Sequence, residues 1–312
     1  MSAASRSLLR AGLTLSILYW TSSLLAGWWL PSLLLKAPLP QRTAGEVEAS
    51  LAALAGEIGH WTVHPVPSGM GVTLRVHWLH RPNAKGAAIL LHGFGDDALG
   101  TAPRLRDLPG LDVLCFTFRG RDLMPETPST LGGHERGDVA AVVRFLEGAG
   151  WPRSRQVLVG CSQGAGVAIL ALADLEAHGA PLAGALLESP FMDLQDATRN
   201  HLRGTLGGFE LLARPAEWIG LWRAGRIAGF DPAAVSPVRA SRGLRTPLAL
   251  LAGDADPITP LPGVRAIAWN HPDLTIVPGA GHLEAGGRVP GGWKAWADLR
   301  LRSWGLEEAP RY

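Results

Sequence analysis

The sequence predicts an α/β fold: one mostly parallel, eight-stranded sheet with helices on both faces, a short helical cap, and one N-terminal transmembrane helix. Short apolar runs recur along the chain, as strands buried on both faces require. Stretches of helical spacing separate those runs, which makes the sheet mostly parallel. A third observation, the absence of any charged residue from 11 to 35, adds the membrane helix.

Residues 11–35 are rich in Leu and Trp and long enough to cross a hydrocarbon core of about 30 Å. A secretory signal would have a shorter apolar region, about 7 to 15 residues, and a clear small-x-small cleavage site. Residues 1–36 are therefore read as a single-pass signal anchor, with secretion after cleavage as the alternative. Arg6 and Arg10 on one side face Lys36 and Arg42 on the other, so the charge bias leaves the orientation open.

Residues 37–60 form a linker. Within it Val47, Leu51, Leu54 and Ile58 have helical spacing over 43–58, with Thr43 as the cap. The main domain is placed at 61–308 and begins as a hairpin, with strands at 61–66 and 71–79 around Pro67-Ser68-Gly69. Six further strands are expected at 87–91, 111–118, 156–160, 182–188, 247–253 and 274–279. Helices are expected at 135–146, 163–175 and 293–304. A cap insertion is placed at about 195–230. Within it Pro215 starts a helix that would put Trp218, Ile219 and Trp222 on one face, suited to an acyl chain or a bilayer surface, or simply covering the core.

Composition excludes some functions. The chain is 47% hydrophobic and 18% charged, with a net charge of +2, and no basic run interleaved with aromatics tracks phosphates. Nucleic acid is not an expected partner. The two cysteines, Cys115 and Cys161, lie in apolar runs and imply neither a disulfide framework nor a zinc cluster.

In parallel α/β sheets the chemistry gathers where strands end. Four motifs fall there: His92-Gly93-Phe94-Gly95-Asp96, Gly160-Cys161-Ser162-Gln163-Gly164, Gly253-Asp254-Ala255-Asp256-Pro257, and Gly279-Ala280-Gly281-His282. The second has the G-x-S-x-G form, weak alone, but it follows a strand and opens an Ala-rich helix, the setting that such an elbow needs. Gly160 and Gly164 let strand and helix approach closely and lift the Ser162 hydroxyl clear. A serine nucleophile needs a base and a group to orient that base; His282 and Asp256 fill these roles, with Asp254 competing for the second. The backbone N–H groups of Phe94 and Gln163 are the expected oxyanion donors. This chemistry calls for no metal or organic cofactor.

Over residues 61–308 the chain resembles the α/β-hydrolase superfamily. Within it the chain is similar to the serine-aminopeptidase and lysophospholipase-like branch, whose members often carry one N-terminal membrane helix. The resemblance rests on LHGFGDD at 91–97, FRGRD at 118–122, GGHERGDVAAVVRFL at 132–146, LLESPFMDL at 186–194 and SPVRASRGLRTPLALLAGDADPITP at 236–260. It implies a Ser, Asp, His triad in that chain order and assigns the acid to Asp256, with Asp254 and Glu188 as alternatives. Thr117 and Arg121 depart from the branch's usual residues. Cys161 is read as a packing residue, His92 as a brace for its loop, His134 as surface, and Glu135 and Asp138 as solvated or packing residues. The implied activity is hydrolysis of a small-molecule or lipid carboxylic ester. A peptidase or amidase of the aminopeptidase type is the second reading, and a non-catalytic membrane scaffold the third.

Overall fold

The computed structural model describes residues 3–36, 42–56, 58–120, 126–207 and 212–306. Residues 37–41 of the linker, Arg121, residues 208–211 of the cap insertion and the domain's end at 307–308 lie outside them. Along the chain come α1 (Ala3–Leu34), α2 (Ala44–Ala55), β1 (His60–Pro67), β2 (Thr73–His80), β3 (Gly86–Leu91), α3 (Ala98–Thr101) and β4 (Leu111–Cys115). Then follow α4 (Glu135–Gly148), β5 (Gln156–Cys161), α5 (Gln163–Ala177), β6 (Gly184–Glu188), α6 (Leu194–Leu206), α7 (Arg214–Ala228) and α8 (Pro237–Ala240). The last elements are β7 (Leu248–Gly253), α9 (Leu261–Ile267), β8 (Leu274–Val277), α10 (Ala285–Arg288) and α11 (Gly292–Ser303).

These strands form one sheet in the order β1-β2-β4-β3-β5-β6-β7-β8. The hairpin strand β2 runs antiparallel to β1 and to β4, and every pairing from β4 to β8 is parallel. This is an α/β-hydrolase fold. Because side chains alternate across a strand, β3 sends Ala87, Ile89 and Leu91 to one face and Ala88 and Leu90 to the other. The first face packs against α4, α5 and α9, and the second against α2, α3 and α11. All six residues of β3 and of β7 are buried, which explains why they read as continuous apolar runs.

Strand and helix positions agree with the sequence reading to within a few residues, with two informative differences. The fourth strand stops at Cys115 rather than 118, because the Phe118 N–H leaves the ladder to donate to His92 Nε2 at 3.0 Å. The linker helix ends at Ala55, not 58, where Gly56 takes a positive φ of 50°. Its start is the expected one: Thr43 and Glu46 form a reciprocal capping box.

Helix α1 carries an apolar stretch, Ser7–Leu34, long enough to span a membrane, and it is mostly exposed. Its second half lies along α7. The Tyr19 hydroxyl donates to Leu212 O at 3.1 Å, and Leu34 and Leu35 pack with Ala224, Ala228 and Phe230. The pair approaches closely because both helices offer glycine. A Cβ on Gly27 would sit 2.8 Å from Ala216 O, and one on Gly220 would sit 2.5 Å from a Leu30 methyl. The predicted three-residue face of α7 is therefore corrected: Trp218 and Trp222 are exposed, while Ile219 turns toward Gly27 of α1. The reading of the rings as core cover fails with it.

Candidate active site

Three strand ends deliver the proposed triad. β5 ends at Cys161 and α5 starts at Gln163, so Ser162 alone makes the turn, at φ 49° and ψ −113°. That left-handed conformation strains a residue with a Cβ by about 1–3 kcal/mol and persists only where the surroundings enforce it. They do so here through glycine. A Cβ on Gly160 would lie 2.7 Å from the Gly164 carbonyl, and one on Gly164 would lie 2.1 Å from Leu91 O. The Ser162 N–H donates to Glu188 O at 2.9 Å, tying the elbow to β6.

His282 reaches the elbow from the loop after β8. Its Nε2 is 3.0 Å from Ser162 Oγ and its Nδ1 is 2.8 Å from Asp256 Oδ2. The ionised carboxylate only accepts, so Nδ1 carries the hydrogen and Nε2 presents a lone pair to the serine hydroxyl. Gly253 brings the two loops together, since a Cβ there would fall 2.0 Å from Ala280 O. The Ala255 N–H donates to that same carbonyl at 3.1 Å.

Asp256 is buried and held from two directions. Its Oδ1 accepts from the N–H groups of Ile258 and Thr259, each at 2.9 Å, and its Oδ2 accepts from the Thr259 hydroxyl at 2.7 Å. Burial by itself raises the carboxyl's pKa, but the hydrogen bonds from His282 and Thr259 outweigh it and hold the group below its ordinary value. Thr259 was not picked out from the sequence. Its signal is the Asp-Pro-Ile-Thr spacing, in which the aspartate oxygen accepts from N–H groups two and three residues on.

The alternative acids lie elsewhere. Asp254 Oδ1 accepts from the Gly279 N–H at 2.6 Å and closes an exposed turn. Glu188 Oε1 accepts from the buried Gly286 N–H at 2.7 Å, with Arg104 at 3.5 Å from its other oxygen. Neither has a hydrogen bond to His282.

The oxyanion candidates flank the serine. Gln163 opens α5, so its N–H follows Ser162 directly and lies at the positive end of a fifteen-residue helix. Phe94 belongs to the loop after β3, whose Gly93 would carry a Cβ 3.7 Å from Ser162 Cβ. His92 fixes this loop. Its Nε2 accepts from the Phe118 N–H, which leaves Nδ1 to donate to Gly93 O at 2.8 Å. Thr117, the residue that departs from the branch, offers its hydroxyl to the Ala98 N–H at 3.2 Å at the start of α3. Burial, with the nearby carboxylates of Glu188 and Asp96, pushes the Cys161 thiol up to about 12, so it stays protonated at neutral pH. Among the described residues no group of three or more His, Cys, Asp and Glu could hold a metal ion.

Of the two readings left open for Glu135 and Asp138, packing holds and solvation does not, and His134, expected at the surface, is only partly exposed. Glu135 is fully buried and accepts from Ser129 Oγ, from the N–H and hydroxyl of Thr130, and from the Gly132 N–H. Asp138 is also buried, paired with Arg119 and accepting from Ser68 Oγ at 2.5 Å. His134 is half-buried, its Nε2 2.7 Å from Ala228 O at the end of α7. Arg119 and Ser68 lie 19 and 70 residues from Asp138, so this polar cluster exists only once the chain has turned back on itself.

The sequence profile of the Alpha/beta hydrolase family matches residues 88–289, a segment that contains every proposed triad residue. An acetyl-hydrolase of Streptomyces hygroscopicus is 33% identical over 179 residues, 54% of this chain and 56% of that protein. The chain thus spans about half the length of that relative. Among solved structures, an esterase of Pyrococcus furiosus superposes with a TM-score of 0.65 at 20% identity, covering 88% of this chain and 99% of its own. A thermophilic esterase of Thermogutta terrifontis, solved with propionate bound, gives 0.60 at 20% identity over 82% of this chain and 98% of its own. At such identities the likeness is one of fold.

Proposed function

This chain belongs to the alpha/beta hydrolase family, and on that premise we propose that it is a serine hydrolase that cleaves carboxylic esters through an acyl-enzyme on Ser162. The observation that carries the reading is the continuous hydrogen-bond chain Ser162 Oγ, His282 Nε2, His282 Nδ1, Asp256 Oδ2. A core with no catalytic task has no use for a strained serine aimed at a half-buried histidine.

In this mechanism the Ser162 oxygen attacks the ester carbonyl while its proton passes to His282 Nε2. The carbonyl oxygen becomes an alkoxide, which the N–H groups of Phe94 and Gln163 stabilise. When the tetrahedral species collapses, the C–O bond to the alcohol breaks and His282 returns the proton to the leaving oxygen. A water then gives a proton to His282 and attacks the acyl carbon, releasing the acid and restoring Ser162. Asp256 remains ionised throughout. It holds the imidazole in the tautomer that accepts at Nε2 and stabilises the imidazolium that forms.

The esterases among the similar structures support an ester over an amide. Short acyl groups fit the acetyl-hydrolase and the propionate-bound esterase, and an apolar N-terminal helix fits a lipid-derived ester. α1 acts as a membrane anchor in this reading, and residues 195–230 as the cap. Labelling with a fluorophosphonate probe tests the nucleophile: the wild-type protein is labelled and Ser162→Ala is not, and equal labelling of both overturns the assignment. Turnover of p-nitrophenyl esters but not aminoacyl anilides is the expected preference. No turnover on either panel would turn the reading toward a binding scaffold.

A further inference from the structure

The way α1 meets the cap restricts how the domain can sit on a membrane. The uncharged stretch from Ala11 to Leu35 would rise roughly 36 Å as a helix, enough for a hydrocarbon core of about 30 Å. Its second half is not free. From Tyr19 to Leu35 it runs parallel to α7, with Tyr19 bonded to Leu212, Gly27 against Ala216 and Ile219, Leu30 against Gly220, and Leu35 beside Ala224 and Ala228. The Ser129 N–H, in the hydrolase domain, donates to Leu35 O at 3.1 Å. Of the uncharged stretch only Ala11 to Leu18 stands clear of the cap, roughly 12 Å of helix. That is less than half of a bilayer core, so α1 cannot cross lipid while α7 stays in water.

The outward face of α7 matches that requirement. Trp218 is 66% exposed and Trp222 57% exposed, one helical turn apart, and Arg226 continues the same face. Trp28 and Trp29 are exposed on α1, where the Arg223 guanidinium sits 3.7 Å from the Trp28 ring centroid. Paired tryptophans with arginines beside them suit the headgroup boundary, where the rings enter the acyl region and the cations meet lipid phosphates. The acidic residue of this helix does not oppose the arrangement: Glu217 is buried and paired with Arg199 at 3.1 Å.

We infer that α7 docks into the lipid surface, with Trp218 and Trp222 entering the same leaflet as the second half of α1. The cap then lies on the bilayer instead of hanging from a tether. The opposite side of α7 places Leu221 in one cluster with Phe191 and with Leu170 of α5, the helix that begins at the nucleophile. Lipid and elbow helix are thus separated by a single layer of packed helix, about 10 Å. The inference rests on the anchor reading of α1.

The test uses the full-length chain and vesicles of phosphatidylcholine and phosphatidylglycerol. An environment-sensitive fluorophore is attached to Trp222→Cys, to Trp218→Cys, or to Leu299→Cys on α11, which packs on the other face of the sheet. The native thiols interfere little, since Cys115 is buried and Cys161 is held protonated. Flotation of the protein with the vesicles is expected, with blue-shifted emission and strong quenching by spin-labelled lipid at 218 and 222 and neither effect at 299. Flotation with water-like, unquenched emission at 218 and 222 overturns the docking while the anchor stands. A blue shift without lipid quenching means that another protein surface covers the face, and also overturns it. If the wild-type chain fails to float, the anchor reading falls and takes the inference with it.

Discussion

Replacing Asp256 by Asn removes one charge and adds one donor at a site where the structure dictates which way the amide must face. Oδ1 accepts from two backbone N–H groups, of Ile258 and Thr259, each at 2.9 Å. Turning the NH2 toward them would set donors against donors and leave two buried N–H groups unpaired, at about 1–3 kcal/mol each. The amide oxygen therefore keeps the Oδ1 place, and the NH2 takes the Oδ2 place, 2.8 Å from His282 Nδ1. There it donates to Nδ1, which moves the ring hydrogen to Nε2, and Nε2 can no longer take the proton of Ser162. Loss of the working tautomer in a Ser-His-Asp triad costs about ten-thousandfold in kcat, or about 5 kcal/mol of barrier. The Thr259 hydroxyl can rotate to accept from the new NH2, so the variant is expected to fold. The assay is kcat for a soluble p-nitrophenyl ester at neutral pH, with the melting temperature as the check on folding. A folded Asp256→Asn protein within about tenfold of the wild-type rate would refute both the orientation argument and the role of Asp256.

Other consequences concern stability. Since the folded state holds the Asp256 carboxyl below its ordinary value of 3.8, the stability it contributes is present above that value and is lost as pH falls toward the folded one. Denaturant titrations from pH 5 downward should show wild-type stability falling more steeply than that of Asp256→Asn; parallel curves would contradict the shift. Gly164→Ala must push Leu91 O away from a 2.1 Å contact and should abolish soluble expression, whereas Gly137→Ala, with open space around it inside α4, should gain up to about 1 kcal/mol in urea unfolding. Arg119→Met leaves Asp138 buried without its partner and should cost about 3–5 kcal/mol, while Arg119→Met with Asp138→Leu should recover much of that; equal losses in the two proteins would show that the ion pair is not what matters.

Much of this arrangement was legible in the chain itself, for identifiable reasons. Strands buried on both faces leave uninterrupted apolar runs, so β3, β5 and β7 could be located to within a residue or two. The loops after them carry glycines because backbones cross there at contact distance, as at Gly164 over Leu91 O and Gly253 over Ala280 O. Those glycines and the polar residues beside them were enough to nominate Ser162 and His282, while the choice of Asp256 over Asp254 came from the family resemblance. What stayed hidden depends on where a side chain points after folding. Glu135 and Asp138 carry charges that an isolated helix would place in water, and only the returning segments around Ser129 and Arg119 make burial tolerable. Thr259 is a different case, since its bonds to Asp256 are local and the Asp-Pro-Ile-Thr spacing signals them.

The N-terminal helix shows the same limit on a larger scale. Apolarity over residues 11–35 states that the segment avoids water, but it is silent on whether lipid or protein takes water's place. Gly27 and Gly220, nearly two hundred positions apart, decide this for one side of the helix by letting α1 and α7 approach closely. A substitution that separates them tests how much of α1 belongs to the domain. Gly220→Leu collides with Leu30 through its first side-chain carbon and should push α1 off the cap, baring the Leu34 and Leu35 contacts with Phe230 and Ala228. Loosening of this kind in a packed interface costs about 1–3 kcal/mol. The expected readout is faster proteolysis between α1 and α2, with the hydrolase domain's own unfolding transition little changed. If the cleavage rate is unaffected, the alignment of α1 along α7 contributes nothing to the fold.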